Sequence, residues 1–166
     1  MPFPVESLIE GRTFPITIAM QEPVTWALDL MVEHDFSQLP VVAEDRRPLG
    51  MITYEGILQG VRNFHANLDD LHVRDVMSGA RVFNLEDDLF DLLEELKRTY
   101  AVLIGDANGF LAGIVTSYDS TEFFRGRSED LMLVEDIEVT IKEFIHLAYM
   151  RDDQTLDQAR LDKAIA

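Results

Sequence analysis

Val24, Ala27, Leu28, Met31 and Val32 recur three and four residues apart, which predicts an amphipathic helix over residues 23–34. Short apolar runs surround it. Residues 16–20 predict a β-strand, Leu39 to Val42 a buried strand, and Leu49 to Thr53 its partner across the polar turn Glu44-Asp45-Arg46-Arg47-Pro48. A second helix is predicted from Tyr54 to about Phe64. The succession then returns. Val82 to Leu85 reads as strand and Asp87 to Arg98 as helix. Ala101 to Ile104 and Phe110 to Thr116 read as strands around the turn Asp106-Ala107-Asn108-Gly109, and a helix starts at Ser117. Each half therefore has the order β-α-β-β-α. Between the halves, residues 65–78 are polar with scattered apolar positions and read as a linker leading into the second copy.

The two halves align. Gly50-Met51-Ile52-Thr53 matches Gly113-Ile114-Val115-Thr116 at a separation of 63 residues, whereas the preceding helices match at 65, pairing Ala27 with Leu92 and Met31 with Leu96. The second copy is thus about two residues shorter between its first helix and the next strand. A repeat of this kind predicts two copies of one unit stacked to bury a shared face.

The last forty residues follow another plan. Leu131, Val134, Ile137, Ile141, Phe144, Ile145 and Ala148 step by three and four, which predicts a long helix over 129–149 with Ser128 as its N-cap. This stripe is expected either to pack against the domain or to present a surface to a dimer or effector partner. Residues 151–166 carry little apolar content and are expected to fray.

Composition narrows the class. The 166 residues suffice for one domain, or two small halves sharing one core, and 47% of them are hydrophobic against 27% charged. No apolar run has the length of a membrane span, and the N-terminus lacks a basic and then apolar leader pattern. There are no cysteines, which excludes disulfides, thiolate metal sites and a cysteine nucleophile, and fits a cytoplasmic protein. The net charge of −17 repels phosphate backbones and anionic lipid, so neither nucleic acid nor membrane is an expected partner. A local anion site would have to be built from backbone amides, helix N-termini or a few selected basic residues.

In this arrangement, SQLPVV at 37–42, GMIT at 50–53 and GIVTSYD at 113–119 resemble a tandem pair of cystathionine-β-synthase (CBS) domains, the Bateman module. The resemblance covers about residues 15–126. It implies an α/β fold of two β-α-β-β-α repeats packed about a pseudo-two-fold axis, with a first repeat at 15–66, a linker and second repeat at 67–126, and a C-terminal helical extension at 127–166. It also implies a sensor that does no chemistry and has no tightly bound cofactor. The expected regulatory ligand is AMP, or ADP or ATP, less so S-adenosylmethionine, held in the cleft between the repeats. The expected assembly is a homodimer built through the repeats' helices, with residues 129–149 as a possible effector surface. The alternative is a ligand-free dimerisation or interaction scaffold using that helix.

Carried over residue by residue, the resemblance implies one complete site. Asp119 would accept both ribose hydroxyls, since an ionised carboxylate only accepts. Ile114, Thr116 and Ser117 complete its motif. Thr17, Ile18 and Ala19, with Phe36, Ser37, Gln38, Leu39 and Pro40, would hold the base, and Ser37 and Thr116 would offer hydroxyls toward phosphate. The related site departs from the pattern. Gly56 stands where the ribose aspartate should be, and Tyr100-Ala101-Val102-Leu103-Ile104 lacks the proline, so that site is expected to be empty or weak. No basic residue stands beside Phe36-Ser37-Gln38. Lys97 and Arg98 are the nearest candidates for a phosphate, then Arg12 and Arg125, which favours AMP or a neutral adenosine compound over ATP.

Other readings compete at single residues. Thr116 and Asp119 also fit a capping box, a hydroxyl at the N-cap and an acid three residues on. Trp26 is expected in the core or on a dimer face. His34, His65, His72 and His146 have no metal-ligand spacing, and no nucleophile elbow, P-loop or dinucleotide fingerprint is present, so neither metal nor catalysis is expected.

Overall fold

The computed structural model describes residues 4–150 and 155–165. The chain forms two compact units, Met1–Ser120 and Thr121–Ala166. In the first unit, helix α1 (Glu6–Ile9) precedes strand β1 (Ile18–Ala19), α2 (Val24–Glu33), β2 (Gln38–Val42), β3 (Pro48–Thr53) and α3 (Tyr54–Phe64). A 3₁₀ turn (Leu68–Asp70) and α4 (Val73–Val76) lead to β4 (Val82–Asn84), α5 (Leu89–Thr99), β5 (Ala101–Gly105) and β6 (Leu111–Thr116). Helix α6 (Ser117–Tyr149) and α7 (Gln158–Ile165) complete the chain.

The repeat is visible in the sheets. Each has three strands, β1-β2-β3 and β4-β5-β6, the first pair parallel and the second antiparallel. Ile18 pairs with Val41 and Phe83 with Ile104, and the register of both antiparallel pairs slips at the same place, after Val41 and after Ile104. The slip sits at corresponding residues of the two copies, so it belongs to the unit's design.

Local chemistry sets the element ends. Thr53 caps α3 by accepting from the Gly56 amide at 3.0 Å, and Asp88 caps α5 by accepting from Phe90 at 2.8 Å. Helix α2 buries Val24, Ala27 and Met31 against Leu39, Val41 and Ile52 of its own sheet. Met31, Leu39 and Ile52 are fully buried, and each such side chain contributes on the order of 1.5–3 kcal/mol. A second cluster of Met51, Ala101, Leu103 and Leu111 joins the two sheets.

Three expectations need correction. First, residues 65–78 do more than link: Leu71, Val73 and Val76 are buried in the core of the first repeat. Their spacing was too short to register as a helix. Second, β1 is only two residues long, and Ile16 before it packs against the core of the first repeat and also lines a cavity. Third, no new helix begins at 129. Helix α6 runs unbroken from Ser117, and Ser128 donates its hydroxyl to the Phe124 carbonyl at 2.8 Å as an interior residue. Within the expected frayed tail, α7 is formed, while residues 151–154 and 166 lie outside the described ones.

Helix α1 has no counterpart in the predicted elements. Val5 and Leu8 are buried, and the Val5 and Glu6 amides donate to the carbonyls of Asp87 and Leu85, both at 3.0 Å. The chain's start is thereby fastened to the second repeat. Residues 10–17 then cross to β1 in the first.

Candidate functional site

A cavity of about 660 Å³ opens where that crossing segment, the loop before β2 and the end of β6 meet. This volume suits a mononucleotide-sized ligand. Strand β6 alternates: Leu111, Gly113 and Val115 are buried and Ala112, Ile114 and Thr116 are half-buried, and the last three line the cavity together with the backbone of Gly113. The opposite wall is Asp35 to Pro40, and Arg12 to Ile16 close one side.

The loop before β2 owes its shape to the way α2 stops. Asp35 takes a left-handed conformation at φ 55°. The Phe36 amide donates to Met31 O at 2.8 Å, and the Asp35 amide to Val32 O at 3.4 Å. These two bonds are the Schellman pattern of helix termination. They swing Phe36 and Ser37 out before the strand begins. In the second repeat Tyr100 alone, at φ 61°, joins α5 to β5. The two-residue shortening thus removes the loop that forms the wall here.

Asp119 is the polar centre. Its Oδ2 accepts from the Thr116 amide at 2.6 Å and the Thr116 hydroxyl at 2.7 Å, while the Asp119 amide faces Thr116 Oγ1 at 3.3 Å. This is the reciprocal cap at the start of α6. The other oxygen, Oδ1, accepts from Arg12 Nη1 at 2.6 Å. One carboxylate oxygen therefore serves the fold, and the other points to the cavity with a guanidinium on it.

Of the residues expected at a site, Phe36, Ser37, Gln38, Leu39, Pro40, Ile114, Thr116 and Asp119 share this cavity. Thr17, Ile18, Ala19 and Ser117 do not line it. Ile18 is buried in the core, and β1 is held beside β2 by its pairing with Val41 and Val42. Thr13 to Ile16, just upstream, line the cavity instead. Ser117 faces Tyr100, whose carbonyl accepts from its amide at 3.0 Å. Among the basic candidates, Lys97 and Arg98 lie beside Glu94 and Glu95 on α5, and Arg125 pairs with Glu122 and Glu129 along α6. Arg12 is the basic residue in the wall. Ile9, whose Cγ2 would lie only 3.2 Å from a Cβ on Gly113, is a further lining residue. A Gly11-x-x-x-Pro15 break ahead of a strand was the available sign that this segment bends.

Residues 7–63 match the family model of the CBS domain. Similar solved structures extend the likeness over both repeats. A CBS domain-containing protein of unknown function from Bacillus anthracis superposes with a TM-score of 0.66 at 22% identity, over 75% of this chain and 94% of that one. The chain carries a CBS domain and has the fold of a tandem CBS pair. CBSX2 from Arabidopsis thaliana, solved in complex with AMP, gives a TM-score of 0.66 at 22% identity, over 76% and 98% of the two chains. A CBS domain pair in complex with 5′-methylthioadenosine and S-adenosyl-L-methionine gives 0.64 at 19%, over 76% and 99%. No curated protein matches in sequence.

The position related to Asp119 in this CBS pair is Gly56, and there the backbone fills the space. A Cβ on Gly56 would lie 2.6 Å from the Val76 carbonyl oxygen, and one on Gly50 only 2.2 Å from that of Ser78. Met51 and Ser78 exchange both backbone hydrogen bonds at 2.9 Å. What remains is a hollow of about 430 Å³ between α3 and residues 75–78, without β5 in its wall. Among the described residues, no group of three His, Asp or Glu side chains could hold a metal ion, and no helix is long and apolar enough to cross a membrane.

Proposed function

We propose that this CBS pair is a regulatory module that binds one adenosine ligand, AMP in preference to ADP or ATP, in the 660 Å³ cavity. The observation that carries the reading is the meeting of Asp119 Oδ1 with the wall from Phe36 to Pro40 across one cavity. A sugar's vicinal hydroxyls need an acceptor, and a purine needs an apolar slot edged by backbone groups. Ser37, in the same wall, would offer its hydroxyl to a 5′-phosphate. The charged side chains in the wall are Arg12 against Asp35 and Asp119. That balance tolerates one phosphate better than three. The AMP-bound CBSX2 structure has the same fold and is compatible with this choice. The pair would act by ligand-biased arrangement of its repeats, without catalysis, in the cytoplasm and as a homodimer.

Calorimetric titration of AMP, ADP, ATP and S-adenosylmethionine against the wild type and Asp119→Ala tests this. One AMP per chain and a large loss in the variant are expected. Equal binding by both proteins would remove Asp119 from the role. At a hundred times its dissociation constant the ligand should add about 2.7 kcal/mol of stability, which a melting curve reads.

The apolar side chains along α6 favour a second, compatible role. Leu131, Val134, Ile137, Ile141 and Phe144 are all exposed, which suits an effector surface.

A further inference from the structure

Asp119 Oδ2 is held by both polar groups of Thr116, and Oδ1 by Arg12. A ribose at Asp119 requires Oδ1, so the guanidinium must leave it or share it. Arg12 has somewhere to go. It lines the same cavity as Ser37, and its side chain is partly exposed. Its own amide is held, donating to Ile9 O at 3.1 Å, so what exchanges is the side chain. Gly11 beside it has φ +73° and no atom within 4 Å of where a Cβ would be. The segment is anchored at Ile9 and, further out, in the Val5 and Glu6 bonds to the second repeat and in the pairing of Ile18 with Val41 in the first.

We propose that Arg12 is an exchangeable counterion that selects for a 5′-phosphate. It neutralises Asp119 in the arrangement observed, and passes to the phosphate when a phosphorylated nucleoside presents its hydroxyls to Oδ1. The inference rests on the ribose reading of Asp119. It adds a specificity rule. An unphosphorylated nucleoside must displace Arg12 and return nothing to it, whereas AMP supplies a charged acceptor of its own. The response would also reach both repeats, because the crossing segment that carries Arg12 is tied to each.

The rule predicts opposite effects of one substitution. In Arg12→Gln, AMP should bind about tenfold or more weakly, the usual weight of a charge-assisted hydrogen bond, while adenosine should bind more tightly. Arg12→Lys should keep part of the preference for AMP. Calorimetry with AMP and with adenosine on the wild type, both variants and Asp119→Ala reads this, with melting curves to verify folding. If AMP and adenosine weaken together in Arg12→Gln, Arg12 only props the segment and the proposal is overturned. If AMP depends on Asp119 but the AMP-to-adenosine ratio is unchanged in Arg12→Gln, the exchange is overturned and the ribose reading survives. If AMP binds the wild type and Asp119→Ala alike, both fall.

Discussion

The Val76 carbonyl oxygen stands 2.6 Å from the point where Gly56 would carry a Cβ, closer than side chains tolerate. The glycine is therefore matched to a backbone that occupies the space held by Asp119 and its surroundings in the other repeat. Restoring the acid as Gly56→Asp should not create a second site. It should cost about 1–3 kcal/mol, as overpacking does, and leave AMP stoichiometry at one per chain. Urea denaturation and calorimetry check the two statements separately. A second binding event in the variant would mean that residues 76–78 yield.

The Thr116–Asp119 cap separates fold from ligand. Asp119→Ala removes the acceptor of two bonds at 2.6 and 2.7 Å, and Thr116→Ala removes the hydroxyl at the N-cap. Each should cost on the order of 1 kcal/mol of stability. Asp119→Asn, which keeps an acceptor for Thr116, should retain more of the stability and still lose most of the AMP affinity. A variant series in which affinity follows melting temperature would contradict this division.

Periodicity carried much of this structure and failed where elements were short or contacts distant. Helix α3 was legible because Thr53 and the apolar stripe behind it act within one turn. The order of strands was legible because each copy repeats it. Helix α1, with four residues, has too little length for a period, and Val76 is the last residue of an equally short helix. The stretch from Phe36 to Pro40 could be placed beside Asp119 through the resemblance between the repeats and known CBS pairs. Arg12 could be named only as a distant candidate. It meets Asp119 across 107 residues of sequence, and local pattern has no way to express that contact.

Asp35 faces the cavity with a negative charge and a left-handed backbone. A glycine accepts that backbone freely, at the cost of more disorder in the unfolded chain, and the two effects nearly offset. Asp35→Gly should therefore leave stability within about 1 kcal/mol of the wild type. It should also reduce the repulsion on a second and third phosphate. The expected result is a smaller ratio of AMP to ATP affinity, with ATP gaining more in low salt than in high salt. An unchanged ratio in both salts would show that Asp35 does not sense the phosphate chain.

Trp26 was expected in the core or on a dimer face, and it is 48% exposed on α2. Its ring is thus available for a partner. A tryptophan buries a large area for little lost freedom, which makes it a favoured anchor between chains. If the homodimer forms through the helices of the repeats, Trp26→Glu should convert it to monomer in sedimentation at micromolar concentration. Because the side chain is not part of the core, the monomer's own stability should change by only about 0.5 kcal/mol. These two outcomes distinguish an interface from a packing role. A loss of several kcal/mol with the mass unchanged would return Trp26 to the interior, and an unchanged mass with unchanged stability would move the dimer contact elsewhere.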